Sequence, residues 1–315
     1  MFDETFTLDS PTGAALHTYR ARARGQARGI VLVLHGLAEH AGRYGRFAGE
    51  LAEAGFHVLA NDHRGHGRTS ARDAPLGRFA GREGARKVIA DIRAVEALAR
   101  RDHPGLPLVL FGHSMGGIVA LNVAQAEGPR IDGVAAWNCD INPGAALRVA
   151  RLALAAERML KGSDVPSAIL ARATFEAWGR TVSPRRTGFD WLSHDAAAVD
   201  AYCADPLCGF RPSVSMMDDV VTLIREGGSK AGLSRLPRAM PLHLLGGRDD
   251  PATDGGKAVE ALARRLDGLG FVSVERVLLE GARHETLNER EPVRARGMAA
   301  LTAWLGRVAQ RARGA

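Results

Sequence analysis

The strongest constraint on the fold is a serine that stands between two glycines directly after an apolar run. Residues 108–111 are apolar and predict a buried strand, and residues 118–124 predict a buried helix. Ser114 lies at the turn between them, with Gly112 and Gly116 on either side. A chain that folds back so tightly around one residue needs small neighbours there. The segment therefore predicts a strand, a sharp turn that exposes Ser114, and a helix.

This turn also favours nucleophilic chemistry at Ser114. A serine hydroxyl is a poor nucleophile in water, so an enzyme that uses one holds its Oγ next to a base and near hydrogen-bond donors for the developing oxyanion. The N–H groups at the start of the predicted helix point back toward the serine. A five-residue pattern of this kind often arises by chance, so the catalytic interpretation depends on the strand before it and the helix after it.

The rest of the chain predicts an α/β fold. Short β-type runs alternate with helical patterns, which is typical of a mostly parallel central sheet flanked by helices. Residues 86–101 have apolar side chains at helical spacing, and residues 6–8 and 15–19 predict an N-terminal hairpin. The clearest strands are residues 30–34, 57–60, 108–111, 133–137, 242–245 and 272–279.

The alternation of strands and helices stops in the middle of the chain, where helical patterns dominate. This block begins at Pro143-Gly144 and ends near Gly227-Gly228-Ser229, and such breaker clusters suit a boundary. We therefore expect a core of residues 1–140, an inserted helical cap of residues 141–229 and a second part of the core at residues 230–315.

A serine nucleophile needs a histidine base, and usually a carboxylate that orients the histidine. In a fold of this kind both follow the serine along the chain. Asp249 and Asp250 follow the strand at 242–245, and His284 follows the strand at 272–279. Because ligand-facing loops lie at the carboxyl ends of the strands in an open α/β sheet, these side chains are expected near the serine.

The candidate residues for the base and for the oxyanion donors can be narrowed further. Of the other histidines after the serine, His194 lies in the inserted block and His243 inside a strand, so His284 is the predicted base. The oxyanion would be stabilised by the backbone N–H of Met115, directly after the serine, and by that of Leu37, in the loop after an early strand.

Together, these motifs resemble the α/β-hydrolase fold and, within it, the monoacylglycerol lipase and lysophospholipase group of serine hydrolases. The resemblance rests on residues 35–44 (HGLAEHAGRY), 62–67 (DHRGHG), 112–117 (GHSMGG) and 281–285 (GARHE), and on the loop at Asp250. The motifs span nearly the whole chain, and their combination is far more specific than any one of them.

The resemblance implies roles for residues already singled out. Ser114 would be the nucleophile and His284 the base. Asp250 is preferred to Asp249 as the triad acid. Asp250 is followed by Asp254 four residues later, and this spacing is similar to the family's. The family's typical substrates are carboxylic esters of fatty acids, monoacylglycerols or lysophospholipids, so the resemblance fixes the chemistry better than the specificity.

The expected function is therefore a serine-dependent carboxylic ester hydrolase that works through an acyl-enzyme, without a cofactor. An acyltransferase, in which an alcohol takes the acyl group from the same serine, is an alternative that the sequence does not separate. A noncatalytic ligand-binding protein of the same fold is a third hypothesis, although it would not need the serine, aspartate and histidine in this order.

Several polar residues in the motifs have competing interpretations. Glu39 and Arg64 would either support the loops around the oxyanion site or form surface ion pairs. Four histidines could suggest metal binding, but loop packing explains each of them in the family that the chain resembles, and no metal site is expected. These histidines are His35, His63, His66 and His113.

Residues 146–156, in the predicted cap, are apolar with basic residues at intervals. One interpretation is a helix whose apolar side, including Leu152 and Leu154, roofs an acyl pocket. A second is an interfacial helix that makes transient contact with a membrane surface. A third is a helix that simply packs on the main domain.

Composition excludes several other classes of function. The 315 residues are 46% hydrophobic and 24% charged, as in an ordinary globular protein. The net charge of +7 comes from arginines spread along the chain without a nucleic-acid motif, so no nucleic-acid partner is expected. Three cysteines, no secretory pattern and no long apolar run predict a cytoplasmic protein. The family resemblance implies a small-molecule acyl ester or lipid as its partner. Nothing specifies an oligomer.

Overall fold

The computed structural model describes residues 1–313, and within them nine strands form one mixed sheet. The strands are β1 (Glu4–Asp9), β2 (Ala14–Ala21), β3 (Gly29–Leu34), β4 (Phe56–Asn61), β5 (Ser70–Ala71), β6 (Leu108–His113), β7 (Gly133–Trp137), β8 (Leu242–Gly247) and β9 (Val274–Leu279). Gly314 and Ala315, at the end of the predicted second part of the core, lie outside the described residues.

The sheet is mostly parallel, as predicted. Its order is β1-β2-β4-β3-β6-β7-β8-β9, with β5 paired to β2. Along the path β4-β3-β6-β7-β8-β9, each strand is parallel to the next. Strands β1, β4 and β5 are each antiparallel to β2. The carboxyl ends of β3, β6, β7, β8 and β9 therefore share one edge. This arrangement confirms the predicted α/β fold and brings the loops of the candidate site together.

Helices cover both faces of the sheet. They are α1 (Gly45–Glu53), α2 (Gly84–Asp102), α3 (Met115–Glu127), α4 (Ala145–Lys161), α5 (Ala168–Ala171), α6 (Ala177–Arg180), α7 (Ala196–Ala204), α8 (Val214–Gly227), α9 (Lys230–Leu233), α10 (Lys257–Gly268) and α11 (Val293–Arg313). Val31 and Val33 of β3 pack in one buried cluster with α1 and α11. Leu32 and Leu34 pack in another with α2, α3 and α10. Burial on both faces explains why these strands are continuous apolar runs.

The helices α4 to α8 follow β7 in the chain, within the segment predicted as a cap. A π-helical turn at Arg172–Glu176 joins α5 to α6. Met216 and Val220 of α8 belong to the buried cluster of the sheet, whereas Met217 and Val221 pack with residues of α4 and α5. Helix α8 is therefore shared between the core and the helices above it. Residues 141–229 are called the inserted segment below, and their boundaries stay a prediction.

Between residues 1 and 313, no helix combines the length and the apolar character that a bilayer crossing requires.

Candidate active site

Ser114 lies between β6 and α3 in a strained backbone conformation. Its φ and ψ are 54° and −120°, and strain of this kind persists only where the surrounding structure holds it. Its N–H donates to the carbonyl oxygen of Trp137 at 2.8 Å. A Cβ at Gly112 would overlap the carbonyl oxygen of Gly116, and one at Gly116 would overlap that of Leu34. The turn therefore requires both glycines, which gives the sequence pattern its physical reason.

His284 and Asp250 form a buried pair in the loops after β9 and β8. Nδ1 of His284 lies 3.0 Å from both carboxylate oxygens of Asp250. Asp250 also accepts hydrogen bonds from Asn138 Nδ2 at 3.1 Å and from the Thr253 hydroxyl at 2.8 Å. Burial alone would raise the pKa of Asp250, but the charge of His284 and these donors lower it. The aspartate is therefore a carboxylate that holds the proton of His284 on Nδ1, which makes Nε2 the proton acceptor.

The two aspartates after β8 occupy different environments. The side chain of Asp249 is 48% exposed, and its Oδ2 lies 3.5 Å from Nε2 of His194. His243 is fully buried within β8. The structure therefore brings Asp250 to His284 and places Asp249 beside His194.

Ser114 and His284 line a single cavity of about 550 Å³, here called the Ser114 cavity. Leu37 and Met115, the predicted oxyanion donors, line it as well. The indole ring of Trp191 has its centroid 5.0 Å from that of the His284 imidazole. Much of the remaining wall is apolar: Ala146, Leu147, Ala150, Leu170, Met217, Val220, Val221 and Ile224. Such a lining favours an apolar group beside the serine and the histidine.

Helix α4 forms part of this cavity with one face only. Leu147 and Ala150 line the cavity. Leu154 is buried in a cluster with α5 and α8, whereas Leu152 is 73% exposed. The expectation that Leu152 faces a pocket is wrong, because the helix turns this residue to solvent. The helix is apolar around much of its circumference, so its composition did not indicate which face is covered.

The two predicted oxyanion donors lie on elements that are held firmly. Met115 is the first residue of α3, and the first N–H groups of a helix have no acceptor within it. Leu37 lies in the loop after β3. In this loop the N–H of Gly36 donates to Glu39 Oε1 at 2.6 Å, and the carbonyl oxygen of Ala38 accepts from the hydroxyl of Tyr202 at 2.8 Å. Glu39 and the inserted segment thus hold the Leu37 loop from both sides.

Four charged side chains beneath the cavity form a buried cluster, here called the Glu39 network: Glu39, Arg43, His113 and Glu285. Arg43 donates to Glu39 Oε2 at 2.6 Å and binds both carboxylate oxygens of Glu285, at 2.6 and 2.7 Å. Nδ1 of His113 lies 3.3 Å from Glu39 Oε1. The network joins the Leu37 loop to the residue before Ser114 and to the residue after His284.

The network also fixes the charges of its members. Burial alone would raise the pKa of Glu39, but Arg43 and His113 hold it well below its ordinary value. Burial alone would lower the pKa of His113, but Glu39 raises it. Nε2 of His113 donates to the carbonyl oxygen of His284 at 2.9 Å. Because a carboxylate oxygen and a carbonyl oxygen can only accept, these two contacts favour the protonated form of the His113 ring.

The roles of Arg43 and Glu285 in this network were not predicted from the sequence. Their contact joins residues 242 positions apart, which no local pattern reveals. The interpretation of Glu39 and Arg64 as surface ion pairs is wrong, because their side chains are buried. Nε of Arg64 donates to Asp91 of α2 at 2.9 Å, so Arg64 ties its loop to that helix.

One group of described side chains has ligand atoms close enough for a metal ion. It consists of His40, Asp205 and Cys208, whose ligand atoms lie within 4.8 Å of one another. Nε2 of His40 is already 2.9 Å from Asp205 Oδ2. Burial raises the pKa of the Cys208 thiol, which disfavours the thiolate that a metal requires. Among the four histidines of the sequence motifs, His35 is already engaged: its Nε2 accepts a hydrogen bond from the backbone N–H of His63 at 2.9 Å.

A parallel sheet that holds a serine elbow and a buried histidine–aspartate pair at its carboxyl edge is the architecture of the α/β-hydrolases. Comparison with known families agrees with this class. The family Hydrolase_4, described as serine aminopeptidase, S33, matches residues 25–291, and the chain belongs to it.

Individual relatives match in sequence over shorter stretches. A monoacylglycerol lipase of Mycolicibacterium smegmatis is 41% identical over 106 residues, which is 34% of this chain and 34% of that protein. The match thus spans about a third of this relative's length.

Solved structures match over nearly the whole chain. A thermostable carboxyl esterase from Bacillus coagulans has a TM-score of 0.86 at 23% identity, over 98% of this chain and 99% of that one. A lipase in an open form has a TM-score of 0.81 at 28% identity, over 97% and 99%. These likenesses agree with the predicted fold and with the predicted resemblance to the monoacylglycerol lipase group.

Proposed function

We propose that this protein is a serine-dependent carboxylic ester hydrolase with Ser114, His284 and Asp250 as its catalytic triad. The observation that carries the proposal is geometric: the serine elbow and the His284–Asp250 pair open onto the same Ser114 cavity. A relative named monoacylglycerol lipase and a carboxyl esterase of similar fold support the same chemistry.

The reaction proceeds in two steps on these residues. Ser114 Oγ attacks the ester carbonyl carbon while Nε2 of His284 takes its proton, and the backbone N–H groups of Leu37 and Met115 stabilise the oxyanion. The C–O bond to the alcohol then breaks, and His284 returns the proton to the leaving alkoxide. Water then attacks the acyl carbon while His284 takes its proton. The bond between Ser114 Oγ and the acyl carbon breaks, the carboxylic acid leaves, and His284 returns the proton to Oγ. Asp250 orients the imidazole and stabilises its charged form.

The shape and polarity of the Ser114 cavity favour an acyl chain as the acid part of the ester. Its walls on α4, α5 and α8 are apolar, so a fatty acyl chain would be removed from water there. Monoacylglycerols and lysophospholipid-like esters are therefore the proposed substrates. The inserted segment would act as a cap over this chain.

The outer face of α4 supports transient contact with a membrane surface, from which such substrates would come. Val149, Leu152, Met159 and Leu160 are exposed large apolar side chains on this helix. Basic residues stand among them, namely Arg148, Arg151, Arg158 and Lys161. An apolar stripe beside basic side chains is typical of helices that lie on anionic membranes.

Active-site labelling with matched variants tests the proposed triad. Intact-mass analysis after fluorophosphonate treatment should show one adduct on the wild type and none on Ser114→Ala. Asp250→Asn should lower kcat for p-nitrophenyl esters by roughly 10³–10⁴-fold, because the imidazole loses its orienting carboxylate. Asp249→Asn, its neighbour beside His194, should leave kcat within about twofold of the wild type.

The substrate arms of the same experiment separate the alternatives. Rates for p-nitrophenyl esters of increasing chain length should rise as the acyl chain fills the cavity. Transfer of the acyl group to an added alcohol in preference to water would instead indicate an acyltransferase. Faster cleavage of an aminoacyl p-nitroanilide would indicate a peptidase. No adduct and no turnover on any of these substrates would contradict the proposal.

A further inference from the structure

A second cavity, of about 650 Å³, adjoins the Ser114 cavity and is here called the arginine cavity. Phe175 and Tyr202 line both cavities and therefore form the wall between them. Ala38, next to Leu37 in the predicted oxyanion loop, also lines the arginine cavity. The second cavity therefore adjoins both the Ser114 cavity and the loop that carries the predicted oxyanion donor Leu37.

The two cavities differ sharply in charge. Arginines 180, 185, 186 and 211 line the arginine cavity, and Glu176 is the acidic residue among its lining. Asp200 pairs with Arg186 through both carboxylate oxygens, at 2.6 and 2.8 Å. Within residues 1–313, no ion pair involves Arg180, Arg185 or Arg211. Counted together with Glu176 and Asp200, the four arginines leave a net charge of about +2 at this cavity.

This excess of charge indicates what the cavity would bind. A net charge of about +2 on guanidinium groups matches a phosphate monoester, which carries about −1.5 to −2 charges at neutral pH and three acceptor oxygens. Arginine is suited to this contact because its planar fork binds phosphate oxygens in pairs.

The wall between the cavities is compatible with an occupant that spans both. Phe175 lies in the π-helical turn Arg172–Glu176, and turns of this kind are frequent at functional sites. Its ring stacks on Trp191, whose own ring lies beside His284. An extended substrate whose ester carbonyl lies at Ser114 would reach the arginines across the boundary that Phe175 and Tyr202 form.

We propose that the arginine cavity binds the phosphate group of the substrate's alcohol part, while the acyl chain occupies the Ser114 cavity. The preferred substrates are then acyl esters of a phosphorylated alcohol rather than neutral monoacylglycerols. This inference rests on the proposed ester hydrolase function and adds specificity to it.

The test compares two esters that differ only in the phosphate: dodecanoyl glycerol and dodecanoyl glycerol phosphate, each below its micelle concentration. The wild type should have a lower KM for the phosphate ester, and added NaCl should reduce this preference because the charges are exposed. Arg180→Gln with Arg211→Gln should raise KM for the phosphate ester roughly tenfold. The same double variant should leave kcat, and KM for the neutral ester, within about twofold.

Arg235→Gln with Arg264→Gln is the matched control. Both residues are exposed and lie outside the lining of the arginine cavity, so the control removes the same net charge elsewhere. It should leave KM for both esters within about twofold. An equal rise in KM for the phosphate ester in the control would show that only net charge matters and would overturn the inference.

Further outcomes separate this inference from the proposed hydrolase function on which it rests. Inorganic phosphate should compete with the phosphate ester in the wild type. Phosphate binding that is lost in the Arg180→Gln/Arg211→Gln variant, without any change in KM for the ester, would indicate a site for free phosphate and overturn the proposal. Turnover of the neutral ester with no preference for the phosphate ester would overturn this inference alone. Failure to hydrolyse either ester would instead contradict the proposed hydrolase function.

Discussion

His113 is a buried residue that connects three parts of the candidate active site. It stands directly before Ser114, and its two ring nitrogens contact Glu39 and the backbone of His284. A buried cation with carboxylates on one side and a backbone carbonyl on the other stabilises the fold only while it stays protonated. The positions of the serine, the histidine and the Leu37 loop are therefore linked to the charge of one imidazole.

This charge predicts a specific pH dependence of stability. Glu39 raises the pKa of His113 above its ordinary value of 6.5 in the folded protein. The resulting stabilisation is fully present below pH 6.5 and is lost as the pH rises through the raised value. His113→Gln should therefore lower the free energy of unfolding by roughly 1–3 kcal/mol at pH 5.5 and by less at pH 9. Urea denaturation at a series of pH values measures the difference.

His243 supplies a control of opposite sign. Burial lowers the pKa of this histidine to about 4, so below pH 6.5 the unfolded chain takes up a proton that the folded chain does not. The stability difference between the wild type and His243→Gln should therefore shrink as the pH falls from 7 to 5. A difference for His113→Gln with the same slope as that for His243→Gln would contradict the assigned charge of His113.

Residue types and chain order alone indicate Ser114 and His284, because each follows a recognisable strand, and they leave Asp249 and Asp250 as the candidates for the acid. The preference for Asp250 comes from the family resemblance. The Glu39 network could not be predicted in this way. Arg43 and Glu285 meet only because the loops after β3 and β9 share one edge of the sheet. The available signal was local: two charged residues, Glu39 and Arg43, four positions apart in a loop next to a buried strand.

At the scale of elements, the two faces of α4 lie in different environments. One face lines the Ser114 cavity, and the other exposes Leu152 and Met159 to solvent. If the exposed face contacts membranes, Leu152→Asp with Met159→Asp should weaken binding to phosphatidylglycerol vesicles roughly tenfold or more, because two apolar anchors become charged. Vesicle sedimentation measures this binding. Turnover of a soluble short-chain ester should stay within about twofold.

Val272→Asp is the control for this change. Val272 is also a highly exposed apolar residue, but it precedes β9 at the amino edge of the sheet, away from the candidate site. The control should bind vesicles as the wild type does. Equal binding by the α4 double variant and the wild type would exclude a role of α4 at the membrane.

Sequence patterns predict best the buried strands and the helices with one clearly apolar face. The strand predicted at 133–137 is β7, and the helix predicted at 86–101 lies within α2. The predicted start of β9 at residue 272 is two residues early, because Val272 is apolar yet exposed. Strand β5 has two residues, too few to show any periodicity. The π-helical turn at Arg172–Glu176 depends on packing that no pattern in the sequence encodes.

At the scale of the whole molecule, α8 makes the core and the inserted segment interdependent. Its Met216 and Val220 belong to the buried cluster of the sheet. Its Met217 and Val221 pack with α4 and α5. The same helix therefore cannot keep its packing when either part unfolds. Although the inserted segment interrupts the α/β alternation in sequence, its last long helix completes the core.

This shared helix predicts a single unfolding transition for the core and the inserted segment. Tryptophan positions allow the two parts to be followed separately, because Trp178 and Trp191 lie in the inserted segment and Trp137 and Trp304 in the core. One variant carries Trp137→Phe with Trp304→Phe, and the other Trp178→Phe with Trp191→Phe. In each variant, the fluorescence of the remaining pair and the far-UV circular dichroism should give the same urea midpoint. A lower fluorescence midpoint in the variant that keeps only Trp178 and Trp191 would mean that the helices over the active site unfold first. In that case the packing of α8 against the sheet would survive without its contacts to α4 and α5.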